Sequence, residues 1–163
     1  MIVSLTWQEQ LFASQAGCMR RISAMRRSRF EPYGTPDGDL WGTDIESCGA
    51  ELAVSKAIGL HWDAVPPPES LSSLRGDVQN IEVRSTKHKD GHLIVHDRDK
   101  DDRPFVLVRG TMPDYEIAGW IYARDAKQQR FARPIRNGNH AYFVPCVELH
   151  DIAEVPITLE LDA

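Results

Sequence analysis

The hydrophobic pattern changes period near residue 78. Before it, apolar positions recur at helical spacing; after it, they alternate or run together among β-branched and aromatic residues. Thr6-x-x-Glu9 reads as a capping box, in which a threonine hydroxyl and a glutamate satisfy each other's backbone amides. A helix is therefore expected over about 7–29, with Phe12, Ala16, Met19 and Ile22 or Ser23 on its core face. The Pro- and Gly-rich stretch EPYGTPDGDLWG follows as a loop. A second capping box, Thr43-x-x-Glu46, opens a helix that ends at Gly59, since glycine accepts the left-handed backbone of a C′ position. Ile45, Cys48, Leu52 and Ile58 supply its apolar side, and Glu51 lies beside that stripe. The three prolines of VPPPESLSSLRG forbid helix and central strand.

Four strands are expected next: IEVRST, HLIVH, PFVLVRG and YEIAGWIYA. Asp90-Gly91 is a hairpin signal between the first two, and Asp101-Asp102-Arg103-Pro104 connects the next two. RDAKQQRFAR reads as a short helix, and AYFVP and ITLEL as short closing strands. Two helices, four strands, a helix and a strand predict an α/β domain whose sheet begins with antiparallel hairpins.

Composition narrows the class. The chain has 163 residues, 42% apolar and 26% charged, which suits one soluble domain with one core. No apolar run approaches the roughly 18 residues of a membrane span, and MIVSLTWQEQ lacks the pattern of a signal peptide. A cytoplasmic protein is expected. Cys18, Cys48 and Cys146 are widely spaced, which argues for reduced core thiols over a zinc or disulfide framework. Net charge is −5 but uneven. Residues 1–30 carry Arg20, Arg21, Arg26, Arg27 and Arg29 against Glu9, giving +4, and the remainder carries −9. A basic helix on an acidic body fits phosphate contact, and it fits a solvated helix face equally well.

The candidate chemistry lies in GDVQNIEVRSTKHKDG. Glu82 and Arg84 share one face of a strand while Val83 points to the other. Asp77, five residues before Glu82, joins them only if the chain turns, and Gln79-Asn80 is a suitable place. Converging carboxylates repel unless neutralised, and Mg²⁺ accepts one or two carboxylates plus waters. A solvated strand with alternating charge is the plain alternative. His88, His92 and His96 are spaced for one helical face, but Asp90-Gly91 breaks a helix there. A calcium loop starting at Asp97 would need Gly and Glu where Asp102 and Val108 stand. No nucleophile elbow or phosphate-binding glycine loop is present, and Cys48 reads as a packing residue.

Glu51 on a helix, then Asp77, then IEVR in a strand, resembles the PD-(D/E)XK (restriction-endonuclease-like) nuclease superfamily. DVQNIEVRST, DGHLIVHDRDKDDRPFVLVRG, GWIYARDAK and AYFVP resemble more closely a group of small phage- and actinobacterial-type proteins. The resemblance implies a single domain over 1–163 with a restriction-endonuclease-like core, a mixed β-sheet flanked by helices. It implies Mg²⁺- or Mn²⁺-dependent phosphodiester hydrolysis, with DNA as the foremost substrate, in a bacterial host cytoplasm if the chain is phage-encoded. Asp77 and Glu82 would hold the metal, the Val83 carbonyl would be a further ligand, and Glu51 would bind at the edge, directly or through water. Arg84 takes the superfamily's lysine position. A guanidinium stays protonated, so it serves to stabilise phosphorane charge or orient water, not as a base. Lys127 in ARDAK would add an ammonium from the following helix. The basic helix, with Arg20, Arg21, Arg26, Arg27 and Arg29, would contact nucleic acid. A homo-oligomer stays open. The rival from the same resemblance is a non-catalytic module binding nucleic acid or protein, which Arg84 favours. An acidic inhibitor that mimics nucleic acid is a third reading, against which the arginine-rich helix argues.

Overall fold

A computed structural model describes residues 1–26, 38–64, 76–135 and 139–158. Strand β1 (Ile2–Ser4) leads into helix α1 (Trp7–Arg26) through the expected capping box. The Thr6 amide donates to the Glu9 carboxylate at 2.7 Å, and the Glu9 amide donates to the Thr6 hydroxyl at 3.3 Å. β1 was not expected, because three residues show no period. Helix α2 (Leu40–Ile58) starts earlier than the second capping box implied. Its cap is Asp39, whose carboxylate accepts the Gly42 amide at 2.8 Å, while the Thr43 hydroxyl, one turn inside, donates to the Asp39 carbonyl. Gly59 ends it as expected, at φ 70°, with its amide donating to the Ser55 carbonyl.

The core face of α1 corrects the sequence expectation. Ala16 is buried as expected, but Phe12, Met19 and Ile22 are about half exposed, and Ala13, Gly17 and Arg21 are buried in their place. Close approach of the helices explains this. A Cβ on Gly17 would sit 2.5 Å from the Ile45 Cα, so only small residues fit at the crossing.

A mixed four-stranded sheet, in order β1-β5-β4-β2, is built from β2 (Glu82–Thr86), β4 (Pro104–Thr111) and β5 (Asp114–Tyr122) with β1. β2 runs parallel to β4, and the other pairs are antiparallel. A second, antiparallel sheet joins β3 (Leu93–His96), β7 (His140–Val144) and β6 (Ala132–Pro134) in the order β3-β7-β6. The expected β2–β3 hairpin at Asp90-Gly91 is therefore absent. The chain leaves the first sheet there, places Leu93 and Val95 in the second sheet's core, and returns as β4. Such a crossover is what a parallel pair requires.

β4 is buried on both faces. Val106 and Val108 pack towards the helix side with Cys48, Ala53 and Val54. Phe105 and Leu107 pack towards the second sheet with Leu93, Val95 and Val144, joined by Ala123 and Ala126 of α3 (Ala123–Ala126). The molecule is thus a mixed α/β structure of a helix pair, a mixed sheet and a second sheet. Of the three thiols only Cys48 is fully buried, and burial pushes it up to about 12. Ile157 and Thr158 form no strand, and the rest of ITLEL lies outside the described residues. No described helix is long and apolar enough to cross a membrane.

Candidate active site

The chain does turn between Asp77 and Glu82. Val78 and Ile81 form a tight antiparallel bridge, with Gln79 held at φ 54°. That turn folds Asp77 back along the outer edge of β2. There its carboxylate accepts the Val83 amide at 2.8 Å. Among the described residues β2 is an edge strand, with β4 on one side only. The Val83 amide is spent on Asp77 and not on β4, so the Val83 backbone groups face the edge away from β4. In extended backbone the carbonyl of a residue points the same way as its amide, so the Val83 carbonyl lies on Asp77's side of the strand.

Register places the neighbours. Glu82 pairs with Phe105 and Arg84 with Leu107, so Glu82 and Arg84 share the second-sheet side, while Val83 pairs with Val106 on the helix side. Glu51 comes from the helix side, on α2, where it is buried. Asp77 lies close enough to feel the charge of Glu51 and to act in turn on Glu82. Burial first, and then the charge of Glu51, raise the pKa of Asp77 to about 6. Burial and the charge of Asp77 likewise raise Glu82.

Arginines answer these carboxylates. Arg20 of α1 grips Glu51 with both terminal nitrogens at 2.5 Å, and the Trp62 indole donates to the same carboxylate at 2.9 Å. Arg103, buried just before β4, makes a short charged contact to Glu82. Arg84 lies 3.5 Å from Glu82 and 3.6 Å from Asp99, and stacks 4.9 Å from the centroid of the Phe105 ring.

Several expected residues sit differently. Lys127 is held away from Asp77 and Glu82, on the 97–101 loop. Its ammonium donates to the carbonyls of Asp97 (3.0 Å) and Asp99 (2.5 Å) and to the Asp101 carboxylate (2.6 Å), clamping the acidic loop that carries Asp99. Arg20 and Arg21 do not join a solvent-facing basic array, because Arg20 holds Glu51 and buried Arg21 holds Asp44 at 2.6 Å. Arg26 is exposed, and Arg27 and Arg29 lie outside the described residues. His96 is half-buried at the end of β3, and His88 and His92 are exposed before it.

Sequence reasoning missed Arg103, Asp99 and Trp62. No local motif marks them. Arg103 becomes a neighbour of Glu82 only once β2 is known to pair with β4.

Donor chemistry decides what the edge could hold. Two neighbouring carboxylates, the charge of one raising the pKa of the other, with a main-chain carbonyl alongside, form an oxygen donor set of the kind Mg²⁺ or Mn²⁺ accepts with waters completing the shell. Asp77, Glu82 and Val83 fit that description. Glu51 fits less well, since Arg20 occupies both of its oxygens. Among the described residues no group of three His, Cys, Asp or Glu side chains is arranged to hold a metal by itself. No protein-family model, curated protein or solved structure matches this chain.

Proposed function

We propose that the chain is a metal-dependent nuclease with a restriction-endonuclease-like core, hydrolysing phosphodiester bonds in nucleic acid, DNA foremost. The observation that carries this reading is the edge of β2 away from β4, where Asp77, the Val83 backbone and Glu82 come together. Asp77 and Glu82, with the Val83 carbonyl, would hold Mg²⁺ or Mn²⁺. When bound, such an ion supplies Lewis acidity and lowers the pKa of a water it holds.

The chain's own residues do the rest. Arg103 holds Glu82 in place from β4's entry. Arg84, pinned between Glu82, Asp99 and the Phe105 ring, presents a permanent cation beside the carboxylates. Extra negative charge on a phosphate in flight would be stabilised by it, and it needs no proton exchange to do so. Lys127 acts one step back, by fixing the loop that carries Asp99. Exposed Arg26, at the end of α1, is the described member of the basic helix available to a phosphate backbone.

A second reading has its own observation. Arg20 neutralises Glu51 and Arg103 neutralises Glu82, so the cluster is already balanced internally. That balance suits a non-catalytic module on the same fold, binding nucleic acid or protein. Calorimetric titration with Mn²⁺ separates the two. The nuclease reading expects wild type to bind in the millimolar range or tighter, and Glu82→Ala to lose most of that binding. Equal binding by both proteins removes Glu82 from the site.

A further inference from the structure

From the outer face of α1 we infer that the chain forms a two-fold dimer in which the two α1 helices pack antiparallel. Trp7 is 69% exposed, Leu11 52%, Ile22 50% and Met25 62%, all on one side of this helix. Phe12 and Met19, 50% and 48% exposed, flank them. The stripe made by Trp7, Gln8, Leu11, Gln15, Cys18, Ile22 and Met25 contains no charged residue. It runs for about 27 Å along the helix, using about 1.5 Å per residue. Monomeric proteins rarely leave so long an apolar face to water.

A second copy of this chain fits this stripe for three reasons. First, spacing: Leu11, Cys18 and Met25 recur every seven residues, as do Gln8, Gln15 and Ile22. These are the two alternating seams of a helix–helix interface. In the antiparallel register where Leu11 faces Ile22, the other layers become Gln15 on Cys18 and Gln8 on Met25. Every seam residue then meets one from the other seam.

Second, charge: two chains of net charge −5 repel, and a neutral contact face is where they approach at least cost. Arg26 is the one exposed charge beside the stripe among the described residues of α1. Antiparallel packing puts the two copies of Arg26 about 28 Å apart along the axis, well beyond the screening length of about 8 Å. Parallel packing would set them side by side.

Third, area: six large side chains, each offering on the order of 100 Å², give about 600 Å² per copy. That approaches the roughly 800 Å² per partner of a stable interface.

Arg20 leaves α1 on the opposite side to reach Glu51. The dimer therefore leaves the carboxylate edge uncovered, and the inference does not depend on the nuclease reading.

Light scattering during gel filtration tests it, on the full chain at about 100 µM, a concentration at which modest affinities are populated. Wild type is expected at twice the chain mass. Leu11→Glu and Ile22→Lys, each at a half-exposed position, are expected at the single-chain mass with unchanged circular dichroism. Mixing these two variants is expected to restore the double mass, because each Glu then faces a Lys. A monomeric wild type overturns the inference. A dimer indifferent to either substitution, or a mixture that stays monomeric, overturns the interface.

Discussion

Arg20 offers the sharpest perturbation, because it links the helix pair to the candidate site. Glu51 is 3% exposed and receives two charged hydrogen bonds from Arg20 at 2.5 Å and one from Trp62 at 2.9 Å. Arg20→Met keeps most of the apolar stem and deletes the guanidinium. Among the described residues the buried carboxylate is then left with the indole alone. Breaking a fully buried pair from one side costs about 3–5 kcal/mol. The Arg20 side chain is 23% exposed, so water relieves part of this, and about 2–3 kcal/mol is expected. With a urea slope of about 2 kcal/mol/M, the unfolding midpoint should fall by roughly 1–1.5 M. Replacing both partners, Arg20→Met with Glu51→Leu, removes the stranded charge. The double variant should regain at least about 1.5 kcal/mol over the sum of the single effects. A cost under about 0.5 kcal/mol for Arg20→Met, or additive single effects, would refute the idea that this pair holds α1 against the site.

Asp77 predicts a pH dependence. Its folded-state value, about 6, lies above the ordinary 3.8, so the folded chain holds the proton more tightly than the unfolded one. That contribution is complete below about pH 4 and lost as pH rises through 6, amounting to about 3 kcal/mol. Asp77→Asn should therefore exceed wild type in stability at pH 7.5 and converge with it near pH 4 in urea titrations; a constant offset would contradict this. Lys127→Met removes three contacts to the 97–101 loop and should cost about 2 kcal/mol, with faster amide exchange confined to that loop. Unchanged exchange would deny the clamp. Reversing Arg26, Arg27 and Arg29 to Glu should remove about three phosphate contacts and flatten the salt dependence of nucleic-acid binding by a slope of about 2.7. An unchanged slope returns this helix to a solvated face.

The local features were legible in the sequence. The Thr6–Glu9 cap, the Gly59 terminus, the turn at Gln79-Asn80 and the opposed faces of Glu82 and Val83 depend on a few neighbouring residues. Non-local features were not. Asp90-Gly91 looked like a hairpin because turn chemistry is local, whereas the parallel pairing of β2 with β4 is fixed by cores that gather Leu93 and Phe105 from distant positions. The helix face was misread for a different reason. Phe12, Met19 and Ile22 are expected inside beside Ala16, but at a close crossing only small residues fit, so Ala13 and Gly17 join Ala16 as the inner ones. That Ala-x-x-Ala-Gly pattern was the available signal. Arg20 and Arg21 looked like surface charge because their partners, Glu51 and Asp44, lie on another helix.

The central claim is catalysis at the edge of β2, and a cleavage assay addresses it directly. Purified chain is incubated with single- and double-stranded DNA and RNA in Mg²⁺ or Mn²⁺, beside Asp77→Asn, Arg84→Lys and Arg84→Ala. Wild type is expected to cut at least one of these substrates, and Asp77→Asn to cut none. Arg84→Lys should retain activity, and Arg84→Ala should slow it about 100-fold, the scale of losing one charge-stabilising group. A wild type that cuts nothing with either metal, or an Asp77→Asn variant that cuts as well as wild type, would contradict the central claim.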